Sequence, residues 1–143
     1  WSKKIKKKEL FFAKISNAFP NKYKFKNKKV SLTLLLSNNK NIKKLNKNFR
    51  KKNKSTDVLS FPFYYSKDLI KVTKQSKEIY LGDIIINFQK LKESNLALNF
   101  KNRFDELWIH ALLHLFGFKH KKNSDYKKMN YLEKKFYKDI YND

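Results

Sequence analysis

Residues 102–116 constrain the fold most, because apolar side chains lie on nearly every side of a helix drawn through them. A surface helix carries one apolar stripe, whereas a helix that is apolar all round is buried in the protein interior. Asp105 and Glu106 fall in its early turns, where acidic side chains interact well with the helix dipole. We therefore expect a central buried helix here. Its apolar residues are Phe104, Leu107, Trp108, Ile109, Leu112, Leu113, Leu115 and Phe116.

Shorter patterns predict the elements around this helix. Residues 30–36 (VSLTLLL) are rich in β-branched residues and leucine, which predicts a buried strand. Val58, Leu59 and Phe61 predict a second strand, and Pro62 indicates either an edge strand or the end of the strand. A lysine-rich connection leads to a third strand over residues 79–88, in which Gly82 marks a bulge or a close backbone approach. Apolar spacing predicts further helices over residues 3–18, 41–49 and 125–141.

The length of the chain favours one domain. A chain of 143 residues, of which 41% are hydrophobic, can bury roughly two thirds of its unfolded surface around one core. No internal repeat and no glycine-rich linker divides the sequence. We expect residues 1–143 to form a single compact α+β domain, in which helices pack a small mixed sheet and the central helix carries histidines.

The net charge of +23 favours a polyanionic partner, with nucleic acid first and an anionic membrane surface second. Of the 35 basic residues only Arg50 and Arg103 are arginines, and asparagine, isoleucine, phenylalanine and tyrosine are abundant. An AT-rich genome supplies such a composition without selection for RNA binding. Residues 1–54 carry 19 basic groups and one acidic group, against 16 and 11 in residues 55–143. We expect the attracting field to come mainly from the N-terminal part.

Cysteine is absent, so the chain has no disulfide partner and any metal must bind His, Asp, Glu or Asn. No apolar run approaches the roughly 18 residues that cross a bilayer, and residues 1–8 contain no apolar signal core. We expect a soluble cytoplasmic protein without a membrane partner. Because the chain begins at Trp1 rather than Met, we expect a short N-terminal piece to precede it.

All three histidines of the chain lie between positions 110 and 120, in the pattern HxxxHxxGxxH. His110 and His114 are four residues apart, so on a helix their rings project from one face at adjacent turns. Gly117 can take the left-handed conformation that ends a helix, which lets His120 approach from another direction. Three histidines with an open fourth position are typical of a catalytic zinc site, whereas a structural zinc has four protein ligands. The spacing favours such a metal site over three unrelated, hydrogen-bonded core histidines.

The metzincin proteases share this three-histidine frame. They carry a glutamate, which acts as general base, directly after the first histidine. Here that residue is Ala111, which cannot transfer a proton. A metalloprotease-like hydrolase is therefore the weaker interpretation of the histidine pattern.

Three sequence segments occur in order between residues 45 and 120. The first pairs NKNFR at residues 46–50 with STDVLSFP at residues 55–62, the second is LGDI at residues 81–84, and the third is the histidine pattern. Together they resemble the YbeY family of bacterial metal-dependent endoribonucleases, with its N-x-x-[FY]-R, TDVLSFP, LGDI and HGxLHLxGYDH motifs. The resemblance implies an α+β fold and an enzyme of ribosomal RNA maturation, at the 3′ end of the small-subunit RNA, and of ribosome quality control.

The resemblance also implies a site. One zinc ion per chain, or another divalent metal, would be held by His110, His114 and His120, with Arg50 as the catalytic arginine. Single-stranded RNA, ribosomal RNA in particular, would be the substrate and the ribosome a partner. The alternative is a non-catalytic RNA- or ribosome-binding protein in which the metal is structural.

The sequence departs from the family pattern at two positions of the histidine motif. The family's glycine after the first histidine is Ala111, a mild change because alanine favours helix. The family's aspartate before the third histidine is Lys119, which cannot orient a histidine ring as a carboxylate does. We expect the family's opening strand to belong to the short piece that precedes Trp1. We expect weaker activity or an altered pH dependence from the lysine.

The basic loop after Arg50 is a candidate RNA-binding segment. Arg50 would offer a fixed cationic fork to the scissile phosphate as negative charge develops. Lys51, Lys52 and Lys54 would steer and hold the RNA backbone. Asp57 is a candidate for fixing this loop.

Overall fold

The computed structural model describes residue 25 and residues 27–93 and 97–141. Three strands and five helices make up this described part of the chain. The strands are β1 (Lys29–Ser37), β2 (Val58–Pro62) and β3 (Glu78–Asn87), and the helices are α1 (Asn39–Arg50), α2 (Ser66–Gln75), α3 (Phe88–Glu93), α4 (Ala97–Leu115) and α5 (Asn123–Tyr141). The helix predicted over residues 3–18 lies outside the described residues. None of the described helices is long and apolar enough to cross a bilayer.

Strand β3 is the centre of a three-stranded sheet with the order β1-β3-β2. It pairs in parallel with β1 and antiparallel with β2, so the sheet is mixed, as predicted. The consecutive isoleucines at residues 84–86 of β3 fit its central place, because a strand covered on both faces does not alternate apolar and polar residues. The edge strand β2 ends at Pro62, which has no backbone N–H to donate.

Gly82 interrupts the pairing of β3, as the sequence predicts. The register with β1 shifts between Ser31 and Thr33, where β3 holds one extra residue. Gly82 has φ +136°, and a Cβ atom there would lie 2.2 Å from the carbonyl oxygen of Phe61 on β2. Only glycine allows this close approach, which lets β2 pack tightly against the central strand.

Two expectations about the elements are wrong. The strand over residues 30–36 is only partly buried, and in the described part of the chain β1 has a strand neighbour on one side only. Leu35 and Leu36 are 50% and 56% exposed. The lysine-rich connection between β2 and β3 contains a helix, α2, whose buried residues are Leu69 and Thr73. Its exposed lysines hide the helical spacing of the few residues that face the core.

Helix α4 is the central helix, as its composition predicts. It packs against β2, β3 and α5, and its apolar residues from Leu107 to Phe116 are buried. Asp105 is also buried, and it accepts a hydrogen bond of 2.9 Å from the indole Nε1 of Trp108. Helix α5 covers α4 with Met129, Leu132 and Phe136. The α+β class, with a small mixed sheet and a central histidine-bearing helix, is thus confirmed.

Candidate metal centre

Two histidines of α4 converge on one point beside the core. His110 and His114 are partly buried, whereas their chain neighbours Ile109 and Leu113 are fully buried. Because the two histidines are one helical turn apart, their ring centroids are only 4.7 Å from each other. Their Nε2 atoms lie 3.1 Å apart. The helix therefore directs one nitrogen from each ring to the same place.

Gly117 turns the chain back toward these histidines. Its φ of +91° lies in the left-handed region, where a side chain is strained. The Gly117 N–H donates to the carbonyl oxygen of His114 at 2.9 Å, and the Phe118 N–H donates to that of Leu113 at 3.1 Å. These bonds satisfy carbonyl groups that the end of α4 leaves without helical partners. The turn sends the following segment back across the histidine-bearing face.

His120 completes the cluster from this returning segment. Its ring centroid lies 5.3 Å from that of His110 and 4.9 Å from that of His114. On its other side it meets the ring of Tyr126 on α5, with centroids 5.6 Å apart. One nitrogen of each of the three histidines lies within 4.8 Å of the other two. The three histidines singled out by the sequence are thus brought together.

Hydrogen bonds fix which nitrogens face the cluster. Nδ1 of His114 lies 2.7 Å from the carbonyl oxygen of Phe118, which can only accept, so this nitrogen carries the proton. Nδ1 of His110 lies 2.5 Å from Oε1 of Glu133 on α5, and an ionised carboxylate also only accepts. In neutral rings both Nε2 atoms then present lone pairs to each other across 3.1 Å. A cation between them, either a proton or a metal ion, relieves this repulsion.

The pKa of His114 is lowered from 6.5 to about 4, chiefly because the ring is buried. The charges of His110, His120 and Arg50 contribute to this lowering, whereas the bond to the Phe118 carbonyl opposes it. The His114 ring is therefore neutral near pH 7. Neutral imidazole is the form that binds a metal ion.

The two helical histidines have the spacing of zinc ligands. With Zn–N bonds of about 2.0–2.1 Å, the nitrogens of a tetrahedral site lie about 3.3 Å apart. The separation of 3.1 Å between the Nε2 atoms of His110 and His114 is close to this value. Imidazole also suits copper, iron and nickel, so the ligands alone do not select one metal. Three protein ligands leave a coordination position for substrate.

The histidines share a cavity of about 990 Å³ with basic side chains. Arg50, the last residue of α1, lines this cavity, and its charge contributes to the lowered pKa of His114. Lys52 and Lys54 also line it. Lys51, which caps α1 with a left-handed φ of 59°, is not among the lining residues. The fold thus brings Arg50 and two of the three candidate lysines to the histidine cluster.

Asparagine side chains hold the basic loop in place. Nδ2 of the buried Asn46 donates to the carbonyl oxygen of Lys54 at 2.8 Å. Asn87, buried at the end of β3, donates to Oδ1 of Asn39 at 2.6 Å and to Oγ of Ser55 at 3.1 Å. These bonds tie the loop to α1 and to the central strand. They give Asn46, the first asparagine of the NKNFR segment, a structural role.

Among the charged cavity residues that sequence reasoning missed, Glu133 and Arg103 contact residues that it had singled out. Glu133 follows His110 by 23 residues, and the only available signal was an acid next to the inward-facing Leu132 of α5. Arg103, the second arginine of the chain, lines the cavity and pairs with Asp57 at 3.1 Å and with Glu106 at 3.3 Å. Asp57, the candidate for fixing the basic loop, is thus paired with a residue of α4.

The fold and the site together define a class of protein. It is an α+β domain in which three histidines that could hold one metal ion share a cavity with arginine and lysine side chains. Proteins of this class present a cationic centre to an anionic ligand.

The chain belongs to the YbeY family. A family profile described as "Endoribonuclease YbeY" matches residues 2–141. The chain is 52% identical to Endoribonuclease YbeY of Pelagibacter ubique (strain HTCC1062), over 98% of this chain and 89% of the relative. It is 39% identical to that of Mycoplasmopsis pulmonis, over 83% and 78%. A solution structure of a Thermotoga maritima protein shares the fold, with a TM-score of 0.56 and 24% identity over 99% and 83% of the two chains.

Proposed function

We propose that this protein is a zinc-dependent endoribonuclease that cleaves single-stranded RNA in the cytoplasm. It matures the 3′ end of small-subunit ribosomal RNA and acts in ribosome quality control, with the ribosome as partner. Family membership supports the endoribonuclease activity. The observation that carries the proposal is the shared cavity of the three-histidine group and Arg50. Another divalent metal is the alternative to zinc.

His110, His114 and His120 are the proposed ligands of the ion. When bound, the ion supplies positive charge that polarises a phosphate oxygen of the scissile linkage. Because all three ligands are neutral, they leave the full charge of the ion available for this task. The low pKa of His114 supports the assignment, since it keeps that ring ready to bind a metal near neutral pH.

Arg50 is the proposed phosphate-binding group. A guanidinium donates two parallel hydrogen bonds to a phosphate, and it stabilises the charge that develops as the linkage breaks. Arg50 is exposed and forms no ion pair among the described residues. Arg103 lies in the same cavity but is engaged by two carboxylates. The difference favours Arg50 over Arg103 as the group that meets the substrate.

The basic loop is proposed to hold the RNA backbone. Lys52 and Lys54 line the cavity beside Arg50, and Lys51 is exposed next to it along the chain. Lysine binds phosphate as a mobile point charge, so these contacts carry no base specificity. They raise the affinity for RNA in a salt-dependent way.

Replacing Arg50 tests the proposed mechanism. Arg50→Ala should lower the rate of cleavage of a labelled single-stranded RNA by roughly 10²–10³-fold, the usual cost of losing one oriented donor to a developing charge. Zinc content and melting temperature should stay at the wild-type values, because the side chain is exposed. Arg50→Lys keeps the charge but loses the fork, so it should restore only part of the rate. Unchanged cleavage by Arg50→Ala would remove Arg50 from the mechanism.

The double variant Lys52→Ala/Lys54→Ala is the matched comparison. These side chains line the same cavity, but their proposed role is binding, so cleavage at saturating RNA should stay near the wild-type rate. The affinity should fall and its dependence on salt should become shallower, by roughly 0.7 logarithmic units per lost phosphate contact on a single strand. An unchanged affinity and salt slope would mean that composition alone explains these lysines.

The competing function is a non-catalytic RNA- or ribosome-binding protein with a structural metal. The described residues contribute three ligands to the histidine group, and a structural zinc normally has four. The three-ligand group therefore weighs against this alternative. Zinc-loaded protein that binds single-stranded RNA but leaves it intact would favour it.

A further inference from the structure

Glu133 brings a carboxylate to the histidine cluster from a distant part of the chain. The position before His120, where the family motif has an aspartate, is Lys119 in this sequence. A carboxylate nevertheless reaches the site from α5, where Oε1 of Glu133 lies 2.5 Å from Nδ1 of His110. The two side chains are 29% and 31% exposed, so the bond is largely shielded from water.

We propose that Glu133 is a positioning residue of the metal site. It holds the proton of His110 on Nδ1, and it thereby directs the Nε2 atom of this ring toward the bound ion. The inference rests on the proposed function in one respect, that a divalent metal binds the histidine cluster. It adds a residue whose role is to fix the tautomer and the orientation of one ligand.

The hydrogen bonds of the other helical ligand support this role. The carbonyl oxygen of Phe118 holds the Nδ1 proton of His114, and the ring planes of His110 and His114 stand at 82° to each other. Both Nε2 atoms consequently point to the same place. A carboxylate partner does more than a carbonyl, because its negative charge makes the imidazole a stronger electron donor to the ion.

The packing of α5 against the core brings Glu133 to the histidine cluster. Leu132 and Phe136, one residue before and three residues after it, are buried against the core. Glu133 forms no ion pair with a lysine or arginine among the described residues, although Lys134 lines the same cavity. His110 is therefore the basic side chain that Glu133 contacts, and this hydrogen bond is not part of a larger network of surface ion pairs.

The zinc affinity of three variants tests the inference. The full-length chain is titrated with zinc in competition with a chromophoric chelator. Glu133→Met removes the acceptor at similar length and should weaken zinc binding by about 10- to 100-fold. Glu133→Gln keeps an accepting oxygen without the charge, so its affinity should lie between that of Glu133→Met and the wild type. Glu106→Gln, which removes a carboxylate of the same cavity that pairs with Arg103, should keep the wild-type affinity.

Nuclear magnetic resonance of the zinc-loaded protein gives a readout that does not depend on activity. The Nδ1–H signal of His110 should be slow to exchange in the wild type and in Glu133→Gln, and it should be lost in Glu133→Met. Wild-type affinity and a retained signal in Glu133→Met would overturn the inference and leave the proposed function intact. Loss of cleavage in Glu133→Gln at wild-type zinc affinity would also overturn it, since Glu133 would then act on the substrate. A wild type that binds no zinc would overturn the inference together with the metal part of the proposed function.

Discussion

At the scale of single residues, the surroundings separate side chains of one type into different roles. Arg50 and Arg103 both line the cavity, but Arg103 pairs with two carboxylates, whereas Arg50 forms no ion pair among the described residues. His110 and His114 sit one turn apart, and each has its Nδ1 atom held by a different acceptor. The residue type sets the chemistry that a side chain can perform. Its ion-pair and hydrogen-bond partners determine whether the group is free to bind a ligand.

Asp57 makes the stability of the fold depend on pH. Burial, the largest single influence, raises the pKa of this carboxyl, but the bonds and charges of Lys90 and Arg103 together outweigh it and hold the pKa below its usual 3.8. The folded state therefore favours the ionised form. The resulting stabilisation is fully present above the unfolded pKa of 3.8, and it is lost as the pH falls through the lower folded pKa.

Asp57→Asn should reduce the free energy of unfolding near neutral pH by roughly 1 kcal/mol, as expected for a partly exposed ion pair. The difference from the wild type should vanish as the pH falls well below 3.8, because both proteins then lack the charge. Urea denaturation of metal-free protein across this pH range measures the effect. If the two proteins differed in free energy of unfolding by the same amount down to the lowest pH, the ionised Asp57 would not be the source of the difference.

At the scale of elements, the turn after α4 connects the helix to the site. Gly117 ends the helix with φ +91°, and a Cβ atom there would lie 2.8 Å from Cβ of Ser66, the first residue of α2. Backbone conformation and the contact with α2 thus require glycine for independent reasons. The turn determines where His120 lies relative to the two helical histidines.

Gly117→Ala should lower stability by roughly 1–3 kcal/mol, the usual cost of a strained backbone, and it should weaken zinc binding because His120 shifts. Ser66→Gly in the same chain removes the steric contact but not the backbone strain, so the double variant should recover only part of the loss. Thermal unfolding of the metal-free protein and zinc titration measure the two effects separately. Wild-type stability and zinc affinity in Gly117→Ala would show that the turn does not set the position of His120.

At the scale of the whole molecule, local patterns could be predicted and long-range contacts could not. The dense apolar run of α4 and the spacing of the three histidines are local patterns. The helix lies where it was predicted but begins at Ala97, five residues earlier, and the three histidines lie together. The exposure of β1 depends on its place at the sheet edge, which the sequence of the strand does not encode. Glu133 and Asn87 reach their partners across 23 and 48 residues, so no local pattern marks them.

The net charge is the other property of the whole molecule. Residues 1–24 hold much of the N-terminal excess of lysine and lie outside the described residues, so the prediction that the attracting field comes from the N-terminal part stays a prediction. In the described part, the cavity gathers both arginines of the chain with Lys52 and Lys54. Arg50, Lys52 and Lys54 form no ion pair among the described residues, whereas Arg103 pairs with Asp57 and Glu106.

The most direct test of the central claim is a zinc titration of metal-free protein, with bound zinc and cleavage of single-stranded RNA measured on the same samples. We expect no cleavage without metal and a linear rise that breaks at one zinc per chain. Folded His114→Ala should neither bind zinc tightly nor cleave. Full cleavage by the zinc-free wild type, or a folded wild type that takes up no metal, would contradict the account.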